Sequence, residues 1–185
     1  MNDEYKRVIV PSGLLWRAPN VEQIRVKDYE QDKDKWASTA DRLQSESFGY
    51  TAIKDKEGKL VAQIDDETAS KGEKVAWMKN KYPYFFAEGI HHDVVFFDSI
   101  KGRDYCIHTI KNKLGPGREV VWFTNSIESR SVPEIDHIHV IYRDSQFLSK
   151  KTKYNTSIIE SMKRSLVPQS RMNKPPPCSH RMNHN

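Results

Sequence analysis

The sequence predicts an α+β fold: one domain over residues 5–166, built on a mostly antiparallel sheet with flanking helices, then a basic, Pro-rich tail over 167–185 that is expected to be disordered. Three observations point there. β-Branched and aromatic runs at 94–97, 119–124 and 138–142 are too short for helices and have strand composition. The turn-forming stretch Asp55-Lys56-Glu57-Gly58-Lys59 separates two further strand-like runs, a hairpin signal. Cys106, Ile107, Ile110 and Leu114 recur at helical spacing, and Gly115-Pro116-Gly117 stops that helix.

Taken in order, residues 1–19 read as irregular around Pro11, Gly13 and Pro19. Asn20 is a favourable N-cap, with Glu22 near the positive end of the helix dipole, so a helix is expected from there through Tyr29 towards Trp36. A second helix is expected over Ser38 to Ser45, with Leu43 inward. The hairpin pairs Tyr50–Ile53 with Leu60–Ile64, and Asp65 to Lys74 is polar and loop-like. Residues 75–86 concentrate aromatics without an assignable period. Strands over Asp93–Phe97, Glu119–Thr124 and Ile138–Tyr142 follow, with the helix Asp104–Leu114 between the first two. A last helix is expected over Ser157–Leu166, and Pro175-Pro176-Pro177 forbids regular structure beyond it.

Composition excludes several classes. At 10% aromatic the chain is too rich in aromatics for wholesale disorder. No run approaches the length of a membrane helix, and the acidic N-terminus lacks the apolar stretch of a secretory leader. Cys106 and Cys178 are too few for a disulfide framework, so the expected compartment is cytoplasmic, with the nucleus as the alternative. The net charge of +5 is uneven. Residues 150–185 carry eight Lys and Arg against Glu160, or +7, which leaves the rest mildly acidic. A basic segment of this kind can neutralise nucleic-acid phosphates or remain simply solvated.

The strongest candidate site is Asp136-His137-Ile138-His139-Val140. On a strand, side chains two residues apart share a face about 7 Å apart, so His137 and His139 point together. If His92 lies on a neighbouring strand, three imidazoles converge. Such a set suits a catalytic zinc with an open position, or an anion, with Asp136 or Asp93 as orienting group or base. The plainer reading is a set of structural histidines bonded within the sheet. Arg130 favours an anion, because its planar fork matches phosphate or carboxylate, and Asn125 and Ser131 supply neutral donors on the same loop. Trp122, Tyr84, Trp77 and Tyr82 are candidates for stacking a base or sugar, though core packing is the commoner fate of such residues. Coupling to pH would separate the readings. Anion affinity carried by protonated imidazoles should rise from about pH 8 to 6, whereas metal occupancy should fall. No glycine-rich phosphate loop occurs, and position 141 is Ile where a third alternating histidine would be needed for a histidine-triad hydrolase.

Two blocks resemble a known family. Asn80-Lys81-Tyr82-Pro83-Tyr84 followed by Ile90-His91-His92-Asp93-Val94-Val95-Phe96 is similar to its N-D-W-P-Y…I-x-H-L-V-V-W stretch, with the family's histidine at His92. Val120 through Val140 aligns without gaps to a second stretch, matching Trp122, Phe123, Asn125, Ser131, His137 and His139. Leu15-Trp16-Arg17-Ala18-Pro19 and Tyr29 add a looser match. The chain thus resembles an uncharacterised domain-of-unknown-function family that includes the fungal N-acetylglucosamine-induced proteins. It departs from the family at Asp93 (apolar there), Phe96 and Ser126 (Trp), Arg130 (Lys) and Asp136 (Glu). The resemblance implies a soluble intracellular protein with a histidine-lined site and brings a sugar or nucleotide-sugar ligand into view. The expectation is a His/Arg-lined pocket for a phosphorylated small molecule, nucleotide or nucleotide sugar. The alternatives are an RNA-, ribosome- or protein-interaction module using the basic segment, and a three-histidine metal-dependent hydrolase.

Overall fold

A computed structural model describes residues 5–7, 15–65, 73–127 and 130–144. The expected helix over Ser157–Leu166, the tail over 167–185 and most of the loop Asp65–Lys74 lie outside the described residues. The elements run β1 (Tyr5–Arg7), α1 (Pro19–Lys35), α2 (Thr39–Phe48), β2 (Thr51–Lys54), β3 (Leu60–Gln63), β4 (Val75–Lys79), β5 (His91–Phe97), α3 (Arg103–Leu114), β6 (Arg118–Phe123) and β7 (Asp136–Asp144). This is the expected α+β class. The main sheet has the order β1-β6-β7-β5-β4, with β2-β3 a separate hairpin. All its pairings are antiparallel except β1 with β6.

Local chemistry explains most boundaries. Pro19 opens α1, with Ala18 and not Asn20 at the N-cap. Proline's fixed φ suits the first helical position, where its missing N–H has no role to fill. No described side chain of α1 is buried, which fits its weakly apolar face. Ser38 caps α2, its Oγ accepting the Asp41 N–H at 3.0 Å, and Gly49 ends that helix at φ 74°, a conformation glycine adopts without penalty. Between Asp55 and Lys59 the Asp55 carboxylate accepts the N–H groups of Glu57 and Lys59, which makes the tight hairpin turn.

β7 is central, and its period of two divides the sheet into two faces. Val94 pairs with His139 and Phe96 with His137 on one side, while Phe123 pairs with His139 on the other. Hence His92, Val94, Phe96, Val121, Phe123, His137, His139 and Ile141 share one face. The opposite face carries Val95, Phe97, Val120, Trp122, Ile138 and Val140 and packs on Cys106, Ile110 and Leu114 of α3. That helix buries three of the four residues of the stripe the spacing predicts, with Ile107 half-buried. On the histidine face, Ala40, Leu43 and Phe48 of α2 cover one end with Val132 and Ile135. Tyr84 with Leu15, Phe86 and Ile90 covers the other. Residues 75–79, left unassigned by pattern, form edge strand β4.

Candidate functional site

Strand alternation brings His92, His137 and His139 to one buried face, each at most 6% exposed. His92 Nε2 lies 2.9 Å from His139 Nδ1. The Tyr84 backbone N–H donates to His92 Nδ1 at 3.3 Å, and the Asn125 side-chain amide lies 3.1 Å from His139 Nε2. His137 Nδ1 donates to the Ile135 carbonyl at 2.8 Å, because a carbonyl can only accept. Asn80 Nδ2 sits 3.1 Å from one ring nitrogen of His92 and 3.4 Å from the other. An atom nearly equidistant from both cannot lie along either in-plane lone pair, so this amide rests over the ring.

Aromatic rings complete the enclosure. Tyr84 stacks on His92 with centroids 5.1 Å apart, and Phe123 stacks on His139 at 5.0 Å. Phe96 lies 5.5 Å from His137. Arg17 reaches the Tyr84 ring at 4.7 Å and donates from Nε to the Tyr82 carbonyl, tying the segment before α1 to the 80–90 loop.

Burial sets the charge state. The loss of water pushes His92 down to about 3, with the positive charge of Arg17 adding to the effect. His139 is held well below the ordinary histidine range, again first by burial and then by its neighbouring imidazoles. His137 is lowered by burial and by Arg130, against opposing contributions from the Ile135 carbonyl and Asp136. All three are neutral bases at neutral pH. Burial therefore works against protonated imidazoles gripping an anion, the reading in which affinity rises from pH 8 to 6.

A zinc ion would compete for the same ring nitrogens. His92 and His139 engage both ring nitrogens with each other and with Tyr84 and Asn125. Among the described residues no group of three or more His, Cys, Asp or Glu side chains is arranged to hold a metal ion. Of the three, His137 Nε2 alone has no partner among the described residues.

Other expected site residues divide. Asn125 joins the histidines, and its backbone carbonyl accepts Arg130 Nε at 3.1 Å. Tyr84 joins them as a buried cover instead of an open stacking wall. Trp122 does not: it is 2% exposed on the opposite face, among residues of α3, because β6 is buried on both sides and its run hides its orientation. Asp136 also turns away from His137. Its carboxylate accepts the Lys101 N–H at 3.1 Å and lies 3.8 Å from Arg130, so it orients the arginine and not an imidazole. Asp93 faces the α3 side, accepting from Trp77 Nε1 at 2.7 Å and Tyr142 Oη at 3.2 Å. Ser131 is exposed, with no hydrogen bond to the histidines. Sequence reasoning gave no role to Arg17, Asn80 or Phe123; all three lie in the motif blocks quoted above, which was the available signal.

A cavity of about 490 Å³ lies elsewhere, over Phe48, Tyr50 and Ile135, with Glu73, Asp98 and Glu134 among its walls. No histidine lines it, and its carboxylates oppose a phosphate. Among the described residues no helix is long and apolar enough to cross a membrane.

No family model and no curated protein matches the chain. Among solved structures the chain is similar to one described as "Crystal Structure of HTC1", at 18% identity, with 82% of this chain and 83% of that chain covered and a TM-score of 0.46, a likeness too slight to carry an argument.

Proposed function

We propose that the chain binds a small phosphorylated molecule, a nucleotide or nucleotide sugar, in the cytoplasm or nucleus, at the rim of the histidine face, using Asn125 beside His139, Arg130 held on the Asn125 carbonyl, and Ser131 exposed next in the chain. One observation carries this reading: His137 gives its proton to the Ile135 carbonyl and so keeps a lone pair on Nε2, close enough to Arg130 for that guanidinium to lower its pKa. A neutral acceptor beside a cation matches a ligand that offers both a donor and an anionic oxygen, such as a phosphate monoester or a sugar hydroxyl next to a phosphate. Binding fits better than catalysis, because His92 and His139 are fully engaged with their neighbours. The resemblance to the N-acetylglucosamine-induced proteins points in the same chemical direction.

The test is calorimetric titration with inorganic phosphate, AMP, UDP and UDP-N-acetylglucosamine. At least one should bind, Arg130→Ala should weaken it about tenfold or more, and deletion of 167–185 should leave it unchanged. Binding that ignores Arg130→Ala, or no binding at all, would overturn the proposal. The second reading, docking of the basic segment on RNA or the ribosome, rests on the +7 charge of residues 150–185. It requires salt-sensitive association that the same deletion weakens.

A further inference from the structure

We infer that the backbone N–H of Tyr84, acting through His92 and His139, fixes which end of the Asn125 amide faces outward, and that this end is the NH2 group. The inference rests on the proposed ligand site for its use, but its physical basis is separate. A backbone N–H can only donate, so His92 Nδ1 must carry the lone pair. A neutral imidazole has a single N–H, so the proton of His92 sits on Nε2. That nitrogen is 2.9 Å from His139 Nδ1, to which it donates. His139 Nδ1 is thereby an acceptor, and the proton of His139 sits on Nε2, facing the Asn125 amide at 3.1 Å. An N–H needs oxygen there. Nδ2 in that position would set donor against donor inside a buried site, and a half-turn of the amide exchanges it for Oδ1. The Tyr84 hydroxyl, 3.5 Å from the same amide atom, can donate to Oδ1 as well.

The alternative direction fails at its other end. If His139 donated from Nδ1 to His92 Nε2, the proton of His92 would sit on Nδ1, against the Tyr84 N–H. Asn80 does not rescue it, because its amide lies over the ring and its own Oδ1 is held by the Tyr82 N–H at 2.9 Å. The relay therefore runs one way, from Tyr84 to Asn125. Its outer end is a fixed donor on the residue whose backbone carbonyl holds Arg130 Nε, and Asn125 becomes the residue that selects an oxygen acceptor in the ligand. His137, bonded to the Ile135 carbonyl from Nδ1, is the opposite tautomer.

Long-range 1H–15N correlation spectra of the full chain with labelled histidine test this without any ligand. His92 and His139 should be protonated at Nε2 and His137 at Nδ1. Asn125→Asp retains an oxygen for His139, so it should leave these tautomers unchanged, yet it should weaken inorganic phosphate binding about tenfold or more by exchanging a donor for a negative charge. Protonation of His139 at Nδ1 would overturn the inference, as would unchanged phosphate affinity in Asn125→Asp. If the wild type shows the stated tautomers but binds no phosphate, the ligand reading falls and the orientation stands.

Discussion

The two faces of the main sheet bury polar groups in opposite ways. Among the described buried residues of the α3 face Asp93 is the one charged group, and its carboxyl group is met by Trp77 Nε1 and the Tyr142 hydroxyl. Neither donor ionises near neutral pH: burial, helped by the nearby Asp93, pushes Tyr142 up to about 12. The other face buries three imidazoles whose neutral form is favoured further by the exclusion of water. One side thus holds an acceptor with permanent donors, and the other holds neutral bases whose protonation in mild acid requires the chain to unfold. Acid sensitivity should belong to one face alone.

The largest effects should come from emptying either face. Phe123→Ala removes the ring stacked on His139 and should cost about 3–5 kcal/mol in denaturant unfolding, and Ile110→Ala on the α3 side about 2–5 kcal/mol. They should part company spectroscopically: only Phe123→Ala should disturb the histidine nitrogen signals. If Ile110→Ala disturbs them equally, the faces are not independent.

Acid comes next. The folded pKa values of His92 and His139 lie below the ordinary value, so the unfolded state binds more protons between the two. Stability is then fully present above about pH 6.5 and falls as pH drops below it, by on the order of 1 kcal/mol at pH 5.5 for a histidine held as low as His92. Unfolding free energies at pH 7 and 5.5 measure this. The double variant His92→Leu with His139→Leu should remove most of the slope and leave the part due to His137, whose pKa is also lowered by burial, and an unchanged slope would place the acid-sensitive groups elsewhere.

Tyr142→Phe takes one of the two donors from Asp93 and should cost about 1–3 kcal/mol at pH 7, without altering the loss on acidification. The smallest expected effect is at Ser38. Replacing it by Ala removes the α2 cap for about 1 kcal/mol in thermal or denaturant unfolding, and a loss well beyond that would mean α2 contributes more than a cover for the histidine face.

Much of this contrast was legible in the sequence. The alternation of His137 and His139 placed them on one face, and of the α3 stripe Cys106, Ile107, Ile110 and Leu114 all but the half-buried Ile107 are buried. Edge strand β4 was not legible, because Val-Ala-Trp-Met-Lys has neither alternation nor a flanking turn pair and takes its shape from pairing with β5. Trp122 was not legible either, since a strand buried on both faces has no period to read. The charge state of the histidines escaped for another reason. It depends on Tyr84 and Phe123, whose approach to the imidazoles is a tertiary fact that spacing along the chain does not encode.

Cys106 turns the α3 face into its own reporter. Its thiol is 3% exposed among Ile110, Phe97 and Val95, so a water-borne alkylating reagent meets it only when the helix lifts away. On a Cys178→Ser background the labelling rate divided by that of a free thiol gives the population of this open form directly. Followed from pH 7 to 5.5, that ratio distinguishes a helix that detaches alone from one that opens only when the whole chain unfolds.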